Sequence, residues 1–371
     1  MIMILFFLRV KHNKEMPFRQ KLKRIDYIGN LLLIASTVSV LYALTYGGGV
    51  LPWSSWRIIF PLVIGLVGLV IFMFYENLSF VKEPVVPPRL LGNRTSAAIF
   101  AMTFLNSALL FWILFFLPVY YQAVLGKSAA RAGVLILPAI VIGIPGAAGA
   151  VLLLSKFGRY RPLHFIGFAI FTLGVGLFTL FDKDTPLVEI VIFEMIAAGG
   201  SGFVLNTLLP ACQAQFEESD QAATTAAWSF IRSFGSIWGV AIPAAVFNNR
   251  FAQLSYQITD PAVAAIFIEG GAYEHASASV WKALPTMIQN QIISVYSESL
   301  KRVWQIGIVF SGVSFLIVFI ERETLLRTEL ETEFGLEKKK ADDVELAKKR
   351  EIDKNLGVQG SAPISEEAAK S

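Results

Sequence analysis

Residues 151–167 read VLLLSKFGRYRPLHFIG, with Lys156, Arg159 and Arg161 set between two apolar runs. The meaning of that charged turn depends on what surrounds it. The chain has 371 residues, of which 55% are hydrophobic and only 16% charged. A soluble domain of ordinary composition carries about 25% charged residues. The apolar residues also fall in uninterrupted blocks of roughly 18 to 25, the length a helix needs to cross a ~30 Å hydrocarbon layer. A turn with three fixed charges between two such blocks is a loop at a membrane surface. The expected fold is therefore all-α, a polytopic membrane helix bundle.

Working outward from the turn, eight spans are predicted at 27–46, 58–76, 99–121, 132–154, 163–181, 187–207, 223–247 and 302–320. Basic residues of short loops stay on the cytoplasmic side. One set of loops holds Arg9, Lys11, Lys14, Arg19, Lys21, Lys23, Arg24, Lys82, Arg89, Arg94, Lys156, Arg159 and Arg161. The other set holds only Arg57, Lys127, Arg131 and Lys183. The first set is therefore assigned to the cytoplasm, and the opening turn with it. Both N-x-[ST] sequons, at Asn77 and Asn93, land on that inner face and should carry no glycan.

Residues 1–10, beginning MIMILFFL, are too short to span and are followed by their basic residues, unlike a secretory leader. They are expected to be the end of a span that begins upstream. Residues 11–26 form a basic cytoplasmic loop, 27–76 two helices and 77–98 a second cytoplasmic loop. A six-helix unit then occupies 99–320, with a long outer segment at 248–301. From Glu321 to Ser371 the composition turns to Glu, Lys, Ala and Asp, as expected for a cytoplasmic, largely disordered tail.

Several classes of function are excluded. One cysteine, Cys212, permits no disulfide framework, and no Cys/His group has metal spacing. His12, His164 and His275 are scattered with no acidic partner at usable spacing, and no phosphate-binding G-x-x-x-x-G-K-[ST] loop occurs. No enzyme, metal or cofactor is expected. The net charge of +4 sits beside apolar blocks, which suits topology rather than nucleic-acid binding.

The stretch FLPVYYQAVLGKSAARAGVLILP (116–138) resembles the outer loop that opens the C-terminal half of fungal major facilitator drug transporters. RIDYIGNLLLIASTVSVLYALTYGGG (24–49), followed by PWSSW (52–56), resembles the two extra helices of their fourteen-span branch. LNTLLPACQAQF (205–216) and AAWSFIRSFGSIWGVAI (226–242) are similar to that branch's later spans. The resemblance implies the C-terminal half of such a transporter plus two linker spans. It implies export of a drug, toxin or secondary metabolite by proton antiport, together with an N-terminal half. The partners would be small-molecule substrate, protons and the lipid bilayer, in the plasma membrane or alternatively the vacuolar one. Two other readings stay open: a siderophore or nutrient importer of the same superfamily, and a non-transporting membrane remnant.

The resemblance makes the opening turn a cytoplasmic gating loop, with Gly158 allowing a tight turn and Lys156, Arg159 and Arg161 supplying charge. The two arginines would meet carbonyls at neighbouring helix ends. Ser155-Lys156 stands where the family's acidic-basic pair is expected, and Val151 where its leading Gly would be. Charge that merely sets topology is the competing reading.

A charge near the bilayer centre costs about 3 kcal/mol on insertion scales, so an ionisable residue there is a functional candidate. Glu194, about 10 Å from the outer end of its span at 1.5 Å per residue, is the proton-coupling candidate. Its alternative is a hydrogen-bonded carboxyl with no coupling role. Glu189 belongs nearer the interface. Arg232 either lines a cavity or ties helices through backbone carbonyls; direct pairing with Glu194 is not expected from their depths. Asn106, Gln122, Asn206 and Trp228 complete the substrate-binding candidates. Tyr120 and Tyr121 are expected in the interfacial aromatic belt. In GIPGAAGA (143–150) small residues around Pro145 suit close helix packing, with a hinge as the second reading.

Overall fold

The computed structural model describes residues 26–78, 81, 84–268 and 271–324. The expected opening stub, nearly all of the basic loop and the tail beyond Thr324 lie outside the described residues. Helix α1 (Tyr27–Tyr46) and α2 (Trp56–Tyr75) form an antiparallel hairpin. Asp26 caps α1 by accepting the Gly29 N–H, and Ser55 caps α2. The two helices meet through small residues, Gly65 and Gly68 against Ser36. In lipid there is no hydrophobic drive between helices, so such close backbone approach carries the association.

The short α3 (Pro88–Leu91) leads into α4 (Arg94–Val119), which ends in a π-helical turn at Tyr120–Val124. Then follow α5 (Ala129–Leu135), α6 (Leu137–Phe157), α7 (Arg161–Leu177), α8 (Leu187–Leu205) and α9 (Leu208–Gln213). The chain closes with α10 (Gln221–Leu254), the short α11 (Pro261–Ile268) and α12 (Gly271–Glu274), and α13 (Thr286–Ile317). Eight helical stretches among the described residues are long and apolar enough to cross a membrane. Each overlaps one of the eight predicted spans.

The six-helix unit packs α4 against α10 and α13, and α8 against α6 and α7, with α13 closing onto α7. A Cβ on Gly202 of α8 would stand 2.5 Å from the Gly143 carbonyl oxygen of α6, so only glycine permits that approach. Lys23–Glu329 forms one compact unit, which includes the hairpin. The hairpin is held to α10 by Asn249, whose Nδ2 donates to the Gly47 carbonyl at 3.0 Å. Its Oδ1 accepts from Trp53 Nε1 at 2.7 Å.

Hydrogen bonds between loops sort the turns into two ends. At one, Gln215 joins Tyr160 and Asn93. At the other, Tyr120 donates to the Asp182 carbonyl at 2.7 Å. The charged turn, the Asn93 cap and Glu321 share the first end, as alternating spans require.

Two expectations are revised. The outer segment is shorter than 248–301, because α10 runs to Leu254 and α13 begins at Thr286 rather than near 302. The first half of α13 is amphipathic. It buries Ile292, Val295 and Tyr296 while Asn290, Ser294 and Glu298 face outward, so mean hydropathy passes over it. Between the two helices, Trp281, Phe267, Phe251 and Tyr296 pack as one aromatic cluster over the outer end. Secondly, Tyr120 and Tyr121 are not belt residues: both are fully buried, because the π-turn they occupy faces the bundle.

Candidate functional site

Helices α4, α6 and α8 enclose a cavity of about 620 Å³, within the range of small-molecule sites. Its wall is almost wholly apolar, with Phe111 and Leu114 from α4, Ile140 and Ile144 from α6 and Ala198 from α8. The polar groups on it are Glu194, Ser201 and Asn206. Glu194 and Ser201, seven residues apart, share one face of α8, and Asn206 caps the C-terminus of the same helix.

Glu194 is 1% exposed. Its Oε1 accepts a hydrogen bond from the Tyr121 hydroxyl, and its Oε2 has no partner among the described residues. Tyr121 reaches it from the π-turn that ends α4. Pro118 has no N–H to give to the helix ladder, and the π-turn begins two residues later. Such a turn shifts the register of every side chain after it. About two turns further along α8 from Glu194, Ser201 Oγ donates to Asn106 Oδ1 at 3.2 Å. Asn106 is itself buried behind the cavity wall. Two polar bridges therefore join α4 to α8 around an otherwise greasy space.

The remaining candidates lie elsewhere. Gln122 donates to the Pro118 carbonyl of its own helix at 3.3 Å. Trp228 is buried on α10 with its Nε1 unpartnered among the described residues. The Arg232 guanidinium lies 5.4 Å from the Trp228 ring centroid, a cation–π geometry. The side chain of Arg232 is exposed, flanked by exposed Ser229 and Ser233. Its backbone carbonyl accepts from Ser107 Oγ at 2.6 Å, which ties α10 to α4. Arg232 and Glu194 are not paired.

At the end that holds the charged turn, Gly158 closes α6 in the left-handed region, with φ 64°, and its N–H reaches the Leu154 carbonyl at 2.8 Å. Lys156 lies over the Phe157 ring, and Arg159 and Arg161 are exposed. The arginine side chains make no hydrogen bond among the described residues. The helix end is met instead by an acid: Glu323 accepts the Tyr160 N–H at 2.8 Å, at the positive N-terminus of α7. The Tyr160 hydroxyl donates to the Arg322 carbonyl and accepts from Gln215 and from the Thr324 N–H.

The expectation that no histidine has an acidic partner is corrected here. His164 Nδ1 lies 3.0 Å from each carboxylate oxygen of Glu321, and both side chains are wholly buried. The partners are 157 residues apart in sequence, so no local spacing could reveal them. Ser201 and the Tyr121–Glu194 contact were hidden for the same reason. Cys212 is fully buried on α9.

An all-helical bundle with eight membrane-capable helices and an apolar cavity is the architecture of a multi-pass membrane protein. Residues 27–240 match the model of the Major Facilitator Superfamily. The chain belongs to that superfamily and is a multi-pass membrane protein. It is 50% identical over 342 residues to the MFS-type transporter TwmF of Talaromyces wortmannii, covering 92% of this chain and 62% of that one. It is 47% identical over 345 residues to the MFS-type efflux transporter phmH of Phaeosphaeria nodorum, covering 93% and 60%. The chain thus spans about three fifths of the length of these fungal relatives. Its fold is similar to a bacterial homolog of the human lysosomal transporter Spinster in an inward-facing, occupied conformation. That match has a TM-score of 0.50 and 15% identity over 79% of this chain and 64% of the other.

Proposed function

We propose that this chain forms the linker hairpin and C-terminal half of an exporter that expels a lipophilic drug, toxin or secondary metabolite in exchange for protons. It works with a second six-helix half, against which it rocks. The plasma membrane is its place of work. The observation that carries this reading is the buried Glu194 carboxyl. One oxygen is held by Tyr121 and the other is free, on the wall of an apolar cavity large enough for a small molecule. A carboxyl in that position can take a proton when the cavity is empty and release it when substrate enters. Asn106, Gln122, Asn206, Trp228 and Arg232 are the polar groups available to orient the substrate. Lys156, Gly158, Arg159 and Arg161 form the cytoplasmic gate against the other half. Export rather than import is favoured by the relatives, several of which are called efflux transporters or efflux pumps.

The test is flux of a lipophilic dye in proteoliposomes holding this chain together with an N-terminal six-helix half, under an imposed proton gradient. Dye movement that a protonophore abolishes, and that E194Q also abolishes, is the expected result. Flux indifferent to the gradient would remove the antiport reading. Full flux from this chain by itself would remove the need for a second half.

A further inference from the structure

The cytoplasmic end of the α1–α2 hairpin holds two carboxyls that meet with no cation between them among the described residues. Asp26 Oδ1 is committed twice: it accepts the Gly29 N–H at 2.9 Å and the Tyr75 hydroxyl at 3.1 Å. Glu76, only 4% exposed, uses Oε2 to accept the Val86 N–H at 3.3 Å. The other two oxygens, Asp26 Oδ2 and Glu76 Oε1, are buried and have no donor among the described residues. Both crowd the same point: a Cβ placed on Gly29 would overlap Asp26 Oδ2 and stand 3.2 Å from Glu76 Oε1. Two ionised carboxylates are acceptors only, and like charges in a desolvated site disfavour joint ionisation.

We propose that Asp26 and Glu76 form a proton-binding site, in which one proton is held between Asp26 Oδ2 and Glu76 Oε1. The shared proton converts two facing acceptors into a donor–acceptor pair. It thereby fastens the end of α2, and through Val86 the stretch entering α3 and α4, to the start of α1. The groups facing the pair are the Tyr75 hydroxyl from α2 and the backbone N–H groups of Gly29 and Val86. Asn30 of α1 donates its Nδ2 to the Asp26 carbonyl at 2.6 Å. No Lys, Arg or His among the described residues bonds to either carboxyl; the neighbouring Lys23, Arg24, Lys82 and Glu83 lie outside them. Burial first, and then the adjacent Asp26 carboxyl, push the Glu76 carboxyl above the ordinary range, against the pull of the Val85 and Val86 N–H groups. With Glu76 raised, the folded state binds the proton more tightly than the unfolded chain. The fastening is complete at acid pH and lost as pH rises through the raised Glu76 value. The site is built from different helices than the Glu194 cavity and does not depend on it.

The test is infrared spectroscopy of the full chain in lipid nanodiscs, followed from about pH 5 to about pH 9, a range that brackets a raised carboxyl. A protonated-carboxyl C=O band that fades with rising pH, is absent in both E76Q and D26N, and persists in E194Q is expected. Thermal unfolding supplies a second readout. E76Q, whose amide N–H replaces the shared proton, should keep the low-pH melting temperature of the parent at every pH, while E76A melts lower throughout. The proposal is overturned if no band depends on both Asp26 and Glu76. It is equally overturned if E76Q retains the pH dependence of melting seen in the parent.

Discussion

Glu194 and Glu321 are the same residue type, both buried to about the same degree, yet they sit in opposite kinds of surroundings. Glu321 has both oxygens at 3.0 Å from one imidazole nitrogen, and its neighbours Arg322, Glu323 and Thr324 are stitched to Thr95, Tyr160 and Gln215. Both of its oxygens are engaged, although His164 Nε2 has no partner among the described residues. Glu194 has a single hydroxyl donor, an unclaimed oxygen, and empty volume in front of it. A buried charge is costly unless its lone pairs are all engaged. A fully engaged carboxyl is a rivet; a half-engaged one beside a cavity is a group waiting for a ligand. The difference separates what holds the bundle together from what the bundle exists to do.

The comparison can be broken in four ways, in descending order of expected effect. Leaving a buried acceptor without its hydrogen-bond partner typically costs about 1–3 kcal/mol, so H164A should lower the unfolding temperature in detergent and deplete folded protein. E194Q keeps an acceptor for Tyr121 and should melt near the parent, while proton-driven dye flux falls about tenfold or more, an effect of about 1.4 kcal/mol or larger. If E194Q instead destabilised the fold as H164A does, both carboxyls would be structural and the contrast would vanish. Y121F removes the one donor to Glu194. A hydrogen bond to a charged group contributes about 1.5–3 kcal/mol, so flux should drop less than in E194Q, with a modest loss of stability. S201A breaks only the bridge to Asn106. Interhelical bonds in membranes average about 0.6 kcal/mol, and a melting shift near the limit of measurement is expected.

The spans were readable from the sequence because they depend on local composition. An apolar block of sufficient length is a span wherever it occurs, and the basic residues around Gly158 mark its side. α13 was misjudged at its start because its outer half, with Ile292, Val295 and Tyr296 on one face, is amphipathic rather than uniformly apolar. The site was legible only as a set of separate residues. Glu194 stood out since acids inside spans are expensive, but its partner Tyr121 carries no signal that distinguishes it from a belt tyrosine. The rotation supplied by the π-turn after Pro118 is a property of the folded helix. His164 and Glu321, and likewise Asp26 and Glu76, become partners only when distant helix ends are brought to one membrane face.

Asn249 remains. One amide on α10 holds the turn of the linker hairpin from both sides, accepting from Trp53 and donating to Gly47. If the six-helix unit rocks as proposed, α1 and α2 move with it. Replacing Asn249 would loosen that hairpin from the six-helix unit without touching a single atom of the cavity.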